Sequence, residues 1–332
     1  MLIVQKFGGS SLAGPEAVRR SASIIAEAVH SGAQVAAVLS AQGDATDELV
    51  STAALYSSHP APRELDMLLA TGEQASVALM AMALQEMGVE AVSLTGWQAG
   101  LETDGVFGAA RIRRIDPIRL RAELSAGRAA LIAGFQGVTR LGDITTLGRG
   151  GSDTTAVAVA AALRADRCEI YTDVEGVYTA DPRLVPAARK LPGIDIEEML
   201  RLARMGAKVL HERSVELARR YRVPLEVRSS FSRAAGTAVQ PLPLPENQGR
   251  LTAVTHSGNL VTLVGSNLRC LPEPPGEKAA AALSGEGIGL DAYLETDGYL
   301  AVQVDPARVT DALRCMHRTF LEPAEGIDAS IS

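Results

Sequence analysis

Short, mainly apolar runs alternate along this chain with longer stretches whose apolar residues recur at helical spacing. Leu2 to Phe7 is such a run, closed by Gly8-Gly9, and reads as a strand. Residues 15–30 follow as an amphipathic helix with Val18, Ala22, Ile25 and Val29 on one face. Strands are predicted at Val35–Leu39, Ala91–Leu94, Ala129–Phe135, Arg167–Tyr171 and Pro224–Ser230. Helices are predicted at Leu65–Gln85, Thr154–Leu163, Leu191–Ala203 and Ala207–Arg220, the last two divided by Gly206. Short buried strands alternating with helices predict an α/β fold: a mainly parallel sheet with helices on both faces.

The pattern changes at residues 232–249, where Gly236, Pro241, Pro243 and Pro245 interrupt all periodicity, so this stretch reads as a linker. Beyond it come strands at 251–255 and 260–265, a helix at 277–284, strands at 290–295 and 299–304, and a helix at 306–320. Asp297-Gly298 is the expected hairpin turn, and Gly326–Ser330 is read as a final short strand. This small α+β module is too small to hold a deep active site, so regulation or dimerisation is its expected role. The domains expected are therefore 1–231, a linker at 232–249, and a single module at 250–332.

Composition narrows the function. The chain has 332 residues, 47% of them hydrophobic, and a net charge of −7, which argues against nucleic acid or a membrane surface as main partner. Aromatics are only 4%, so base-stacking platforms are not expected. Cys168, Cys270 and Cys315 lack metal or redox spacing and read as ordinary thiols in a reducing compartment. The first residues run into a strand with no basic region before an apolar one, and no apolar run reaches membrane-span length. A cytoplasmic location is the expectation.

Candidate chemistry gathers at glycines. In Thr145 to Thr155, Gly148, Gly150 and Gly151 let backbone approach a ligand closely, and the following helix start offers unpaired N–H groups to an anion. Arg149 suits a carboxylate, and Asp153 sets a carboxylate beside it. Lys6 precedes Gly8-Gly9-Ser10, a phosphate cradle that is neither a Walker A loop nor a dinucleotide fingerprint. Ser40 to Asp47 is a ligand loop at a strand's carboxyl end, in which Thr46 or Asp47 also suits a helix cap. Glu73, a charge in an apolar helix, suits an ammonium group. The loop from Thr172 to Arg183 suits a nucleotide, and Lys208 is expected at a helix start, where it opposes the dipole unless an anion is near. Arg111, Arg113 and Arg114 read as a solvated face.

These blocks together resemble the aspartate kinases (aspartokinases) of the amino-acid kinase family. The match runs through Lys6 to Ser11, Ser40 to Asp47, Gly72-Glu73, Thr146 to Asp153, Thr172 to Arg183 and Gly206 to His211. The resemblance implies a three-layer αβα kinase domain followed by ACT-type (ferredoxin-like) modules, of which the chain has room for about one. It implies transfer of phosphate from ATP, with Mg²⁺, to L-aspartate. It would give Lys6, Asp153 and Lys208 catalytic roles. ATP would be held by Lys6, Gly8, Gly9, Ser10, Thr172, Asp173, Tyr178, Asp181, Arg183 and Lys208. The amino acid would be held by Ser40, Thr46, Glu73, Arg149, Gly150, Gly151 and Ser152. No protein metal site is expected, and His211 is expected to be structural. A homodimer through the ACT-like module, with weak or absent feedback inhibition, completes the expectation. A sibling kinase for another carboxylate and a non-catalytic regulatory subunit are the alternatives.

Overall fold

Runs of branched apolar residues without polar alternation are stable only as strands covered on both faces. The computed structural model, which describes residues 1–322, uses them in that way. In chain order its first elements are β1 (Leu2–Phe7), α1 (Pro15–His30), β2 (Gln34–Leu39), α2 (Ala45–Tyr56), α3 (Pro62–Glu86), β3 (Ala91–Leu94), β4 (Leu101–Thr103), β5 (Ile112–Ile115) and α4 (Ile118–Ser125). Next come β6 (Ala129–Ala133), β7 (Gln136–Val138), β8 (Ile144–Thr146), α5 (Gly151–Leu163), β9 (Arg167–Thr172), β10 (Gly193–Asp195), α6 (Ile196–Arg204), α7 (Glu212–Tyr221), β11 (Leu225–Ser229) and β12 (Thr237–Gln240). The last are β13 (Arg250–Ser257), β14 (Leu260–Ser266), α8 (Pro275–Gly285), β15 (Leu290–Glu295), β16 (Tyr299–Val304) and α9 (Val309–Leu321).

The chain divides into two compact units, the first comprising residues 1–175 and 210–240. Its main sheet runs β12-β11-β9-β1-β2-β6-β3. Every pairing from β11 to β3 is parallel, and β12 pairs antiparallel with β11. One face is buried under α1 and α3 through Phe7, Ile25, Leu39, Met80, Leu84 and Leu131. The alanine-rich α5 packs on the opposite face against β1, β2 and β9. Small side chains there let the helix sit close to the strands' carboxyl ends. A second sheet, β5-β4-β7-β8, lies beside α3. By length and composition α3 could cross a membrane, but half of its apolar window is buried within the fold. Asp66 and Glu73 are among its buried residues, so it is a core helix.

The second unit comprises residues 176–209 and those from Pro241 onward. Its antiparallel sheet runs β13-β14-β16-β15, with a core of Val261, Leu263, Leu283, Leu300, Leu313 and Met316 under α8 and α9. Ala180 and Val185 join this core, Thr179 O accepts from Val254 N at 2.8 Å, and Thr179 Oγ1 meets His317 Nε2 at 2.8 Å. These contacts place 176–209 with the C-terminal module, whereas the sequence boundary at 231 put it with the first domain.

Four local expectations differ from the structure. Residues 191–195 are not helical: Asp195 accepts from Glu197 N at 2.9 Å and caps α6, which starts at Ile196. Likewise α7 starts at Glu212, because His211 Nδ1 accepts from Arg213 N at 3.3 Å as its cap. Lys208 therefore lies ahead of the helix rather than at its start. The expected linker contains β12, made possible by Gly236, whose missing side chain leaves room for the carbonyl of Val227. Thr46 and Asp47 lie inside the first turn of α2, with Asp44 at the cap position and no side-chain cap bond. The strand expected at Gly326–Ser330 lies outside the described residues.

Candidate active site

Parallel strands end together, and the loops leaving their carboxyl ends form the crevice where open α/β sheets bind ligands. Here β1, β2, β6 and β9 bring four such loops to one edge. Phe7 and Tyr171, stacked with ring centroids 4.8 Å apart, fix the ends of β1 and β9 against each other. After β1 the chain turns through Gly8 and Gly9. The Gly8 amide donates to Tyr171 O, while among the described residues the amides of Gly9 and Ser10 donate to no protein acceptor. A Cβ on Gly9 would lie 3.0 Å from Gly43 O and 3.2 Å from Ala41 O, so the two loops touch backbone to backbone. Free amides on a tight glycine turn form an anion cradle.

Lys6 projects from β1 to the α5 face, where its Nζ lies 2.7 Å from Asp153 Oδ1, with both side chains only 12% and 14% exposed. A Cβ on Gly8 would lie 3.4 Å from that ammonium, so the charge sits directly over the glycine turn. Asp153 stands in the first turn of α5, whose cap residue Gly150 has φ of 70°. Beneath Gly150 lies the His211 ring, leaving no room for a side chain. Arg213 Nη1 donates to Leu147 O at 2.9 Å and holds the approach to this turn. The amides of Gly150, Ser152 and Asp153 find no protein acceptor among the described residues, as expected for a helix start. Ser152 is nearly buried against Gly134, at the end of β6. Arg149 is exposed and pairs with no carboxylate among the described residues.

Glu73 reaches the same edge from α3 and is 3% exposed. Its Oε1 accepts from Ala41 N at 3.1 Å, while Oε2 has no hydrogen-bond partner among the described residues. Burial pushes its carboxyl up to about 7, an effect only partly offset by the Ala41 N–H. Ser40 and Thr46, half-buried, flank this contact in the loop after β2. Thr172 Oγ1 donates to Asp173 Oδ1 at 3.0 Å at the end of β9. The structure thus brings Lys6, Gly8, Gly9, Ser10, Ser40, Glu73, Gly150, Gly151, Ser152 and Asp153 onto one connected set of loops.

The candidates Tyr178, Asp181, Arg183 and Lys208 belong to the second unit. Arg183 grips Asp181 through Nε and Nη2, at 2.7 Å for the shortest contact, and these bonds hold the Asp181 carboxyl below the usual range. Tyr178 pairs across a bridge with Lys190. Lys208 is exposed in the turn after α6. Gly134 belongs to no motif in the sequence; a small residue just beyond the end of β6 is its only signal.

A mainly parallel sheet with a lysine–aspartate pair over a glycine turn of free amides makes an α/β fold with an anion-suited crevice at its strand ends. The model of the amino acid kinase family matches residues 1–229, and the chain belongs to that family. It is 57% identical over 239 residues to the aspartokinase of Geobacillus stearothermophilus, covering 72% of this chain and 59% of that protein. It is 51% identical over 301 residues to the aspartokinase of Mycolicibacterium smegmatis, covering 89% and 70%. Among solved structures, Synechocystis aspartate kinase is 38% identical with a TM-score of 0.66, covering 98% of this chain and 57% of that one. E. coli aspartokinase III, in complex with aspartate and ADP, shares the fold at a TM-score of 0.84 and 22% identity, covering 97% and 100%. The chain spans about 59% of the length of the Geobacillus protein.

Proposed function

We propose that this chain acts as an aspartate kinase, transferring the γ-phosphoryl group of ATP to the side-chain carboxylate of L-aspartate. The observation that carries the reading is the Lys6–Asp153 pair beside the free amides of Gly9 and Ser10; the aspartokinase relatives supply the substrate.

In this reading the amides of Gly9 and Ser10 hold phosphate oxygens, and Lys6 offsets the charge that develops as the phosphoryl group moves. Asp153 orients Lys6. An aspartate carboxylate oxygen attacks the γ-phosphorus, the bond to the β,γ-bridging oxygen breaks, and ADP leaves. The products are ADP and a mixed acyl-phosphate anhydride. No general base is needed, because the attacking carboxylate is ionised at neutral pH. Arg149 holds the α-carboxylate, Glu73 the ammonium, and Ser40, Thr46, Gly150, Gly151 and Ser152 line the same pocket. Thr172, Asp173, Tyr178, Asp181, Arg183 and Lys208 serve the nucleotide. Among the described residues no three His, Cys, Asp or Glu gather to hold a metal. Mg²⁺ carried on the ATP phosphates would supply positive charge there.

The 250–332 module is proposed to pair with a second copy. Its strand β15 is an edge, on which Tyr293 and Leu294 are 57% and 56% exposed. Light scattering of the full chain reads the mass directly; a monomer at micromolar concentration rejects the pairing. A cytoplasmic setting suits this chemistry.

Trapping the acyl phosphate with hydroxylamine tests the activity. ATP, Mg²⁺ and aspartate should yield the hydroxamate, whereas glutamate and N-acetylglutamate should not. A product with either alternative in preference to aspartate assigns a sibling kinase. No product with any acceptor favours a non-catalytic subunit.

A further inference from the structure

We propose that Asp66 is a positioning residue for the acceptor pocket, fastening the strand-and-turn that carries Arg149 to the helix that carries Glu73. The inference rests on the reading of Arg149 and Glu73 as the groups that hold the amino acid.

Asp66 lies in α3 and is 1% exposed. Its Oδ2 accepts from Thr146 N at 2.7 Å and Gly108 N at 2.9 Å, and its Oδ1 accepts from Thr146 Oγ1 at 2.8 Å and Gly108 N at 3.0 Å. No cation pairs with it among the described residues. A carboxylate is acceptor-only, and burying one demands that its lone pairs be satisfied. Backbone donors from two separate segments do so here, which makes the carboxylate a clamp between them.

Both donors bracket the ligand turn. Thr146 ends β8, three residues before Arg149. Gly108 lies against Gly148, where an added Cβ would stand 2.9 Å from the Gly108 carbonyl, and Ala110 N donates to Thr146 O at 2.9 Å. Gly148 has φ of 73° and begins the turn through Arg149 to α5. On the helix side, Asp66 and Glu73 are seven residues apart, two turns along one buried face and about 10 Å along the axis. One helix therefore sets Glu73 and, through Asp66, the origin of the Arg149 turn. An α-amino acid presents its carboxylate and ammonium at a fixed separation, so the spacing of their two partners decides fit.

The test is Asp66→Asn, which keeps the shape but turns an N–H group toward donors. The aspartate KM should rise at least about tenfold while the ATP KM stays within about twofold, since small misplacements cost productive geometry. Hydrogen exchange at the Thr146 and Gly108 amides should accelerate while β1 and β2 keep their protection. Thr146→Val removes only the hydroxyl bond and should give a smaller rise in the same constant, which Thr146→Ser restores; this pair serves even if the Asp66 variant fails to fold. Equal rises in both constants, or an unchanged aspartate KM in folded variants, overturn the proposal. Exchange needs no substrate, so the two readings part cleanly. Unchanged exchange at Thr146 and Gly108 overturns the clamp, whereas faster exchange in a protein with no aspartate turnover supports the clamp and sinks the substrate reading.

Discussion

Lys6 on β1 and Asp153 in the first turn of α5 meet at 2.7 Å across 147 residues of chain, and each is largely shielded from solvent. The pair places a positive charge over Gly8 with a fixed orientation, which a lone exposed lysine would not keep. Phosphoryl transfer depends on such placement more than on proton movement.

Removing either partner should therefore damage turnover more than nucleotide binding. Lys6→Met and Asp153→Asn should each lower kcat by about 10²–10³, the usual effect of losing one contact to developing charge. The double variant should lose little more than the worse single one, because the groups act as a unit. Steady-state kinetics on the three proteins decides this; fully additive losses would separate the roles.

Glu73 predicts a pH dependence whose sign follows from its burial. Its carboxyl is raised from 4.5 to about 7. Below pH 4.5 folded and unfolded chains are both protonated there, so the group contributes nothing. Between 4.5 and 7 only the unfolded chain ionises, and stability falls as pH rises through that window. Above 7 the penalty is complete, on the order of 3 kcal/mol from about 1.4 kcal/mol per unit. Glu73→Gln should accordingly be more stable than the parent in urea at pH 8 and equal to it at pH 4. The aspartate KM of the parent should also fall as pH rises through 7, and that trend should vanish in the variant.

Arg149→Lys should raise the aspartate KM at least about tenfold with ATP saturating, because an ammonium cannot make the two parallel bonds of a guanidinium. An unchanged constant would remove Arg149 from the carboxylate subsite.

Gly150→Ala should be strongly destabilising. The residue has φ of 70°, which costs a side-chain-bearing residue about 1–2 kcal/mol, and its Cβ would enter the His211 ring. Adding His211→Ala should recover the steric part and leave the backbone part. Thermal melts of the single and double variants measure the split. A double variant no more stable than Gly150→Ala alone would show that the ring is not the obstacle.

Much of the secondary structure was legible from local pattern. Leu2–Phe7 and Ala91–Leu94 are short, mainly apolar runs followed by glycine or threonine, and residues 15–30 carry one apolar face; burial on a sheet favours these patterns, so the residues announce them. The glycine turns were equally visible, since Gly9 and Gly150 occupy positions where a side chain would be crowded. Boundaries failed where a distant or capping group decides them. His211 and Asp195 delay their helices by taking up N–H groups, and Thr237–Gln240 becomes a strand by pairing with β11. Residues 176–209 carry no mark of their partner: Thr179 meets His317 across 138 residues, and nothing local encodes that choice. The same holds at the site. That Glu73 and Asp66 are charged was plain from the chain; that α3 buries both, one beside Ala41 and the other under Thr146, was decided by tertiary packing. A charge's chemistry depends on the water and donors around it, and those come from segments far away in sequence.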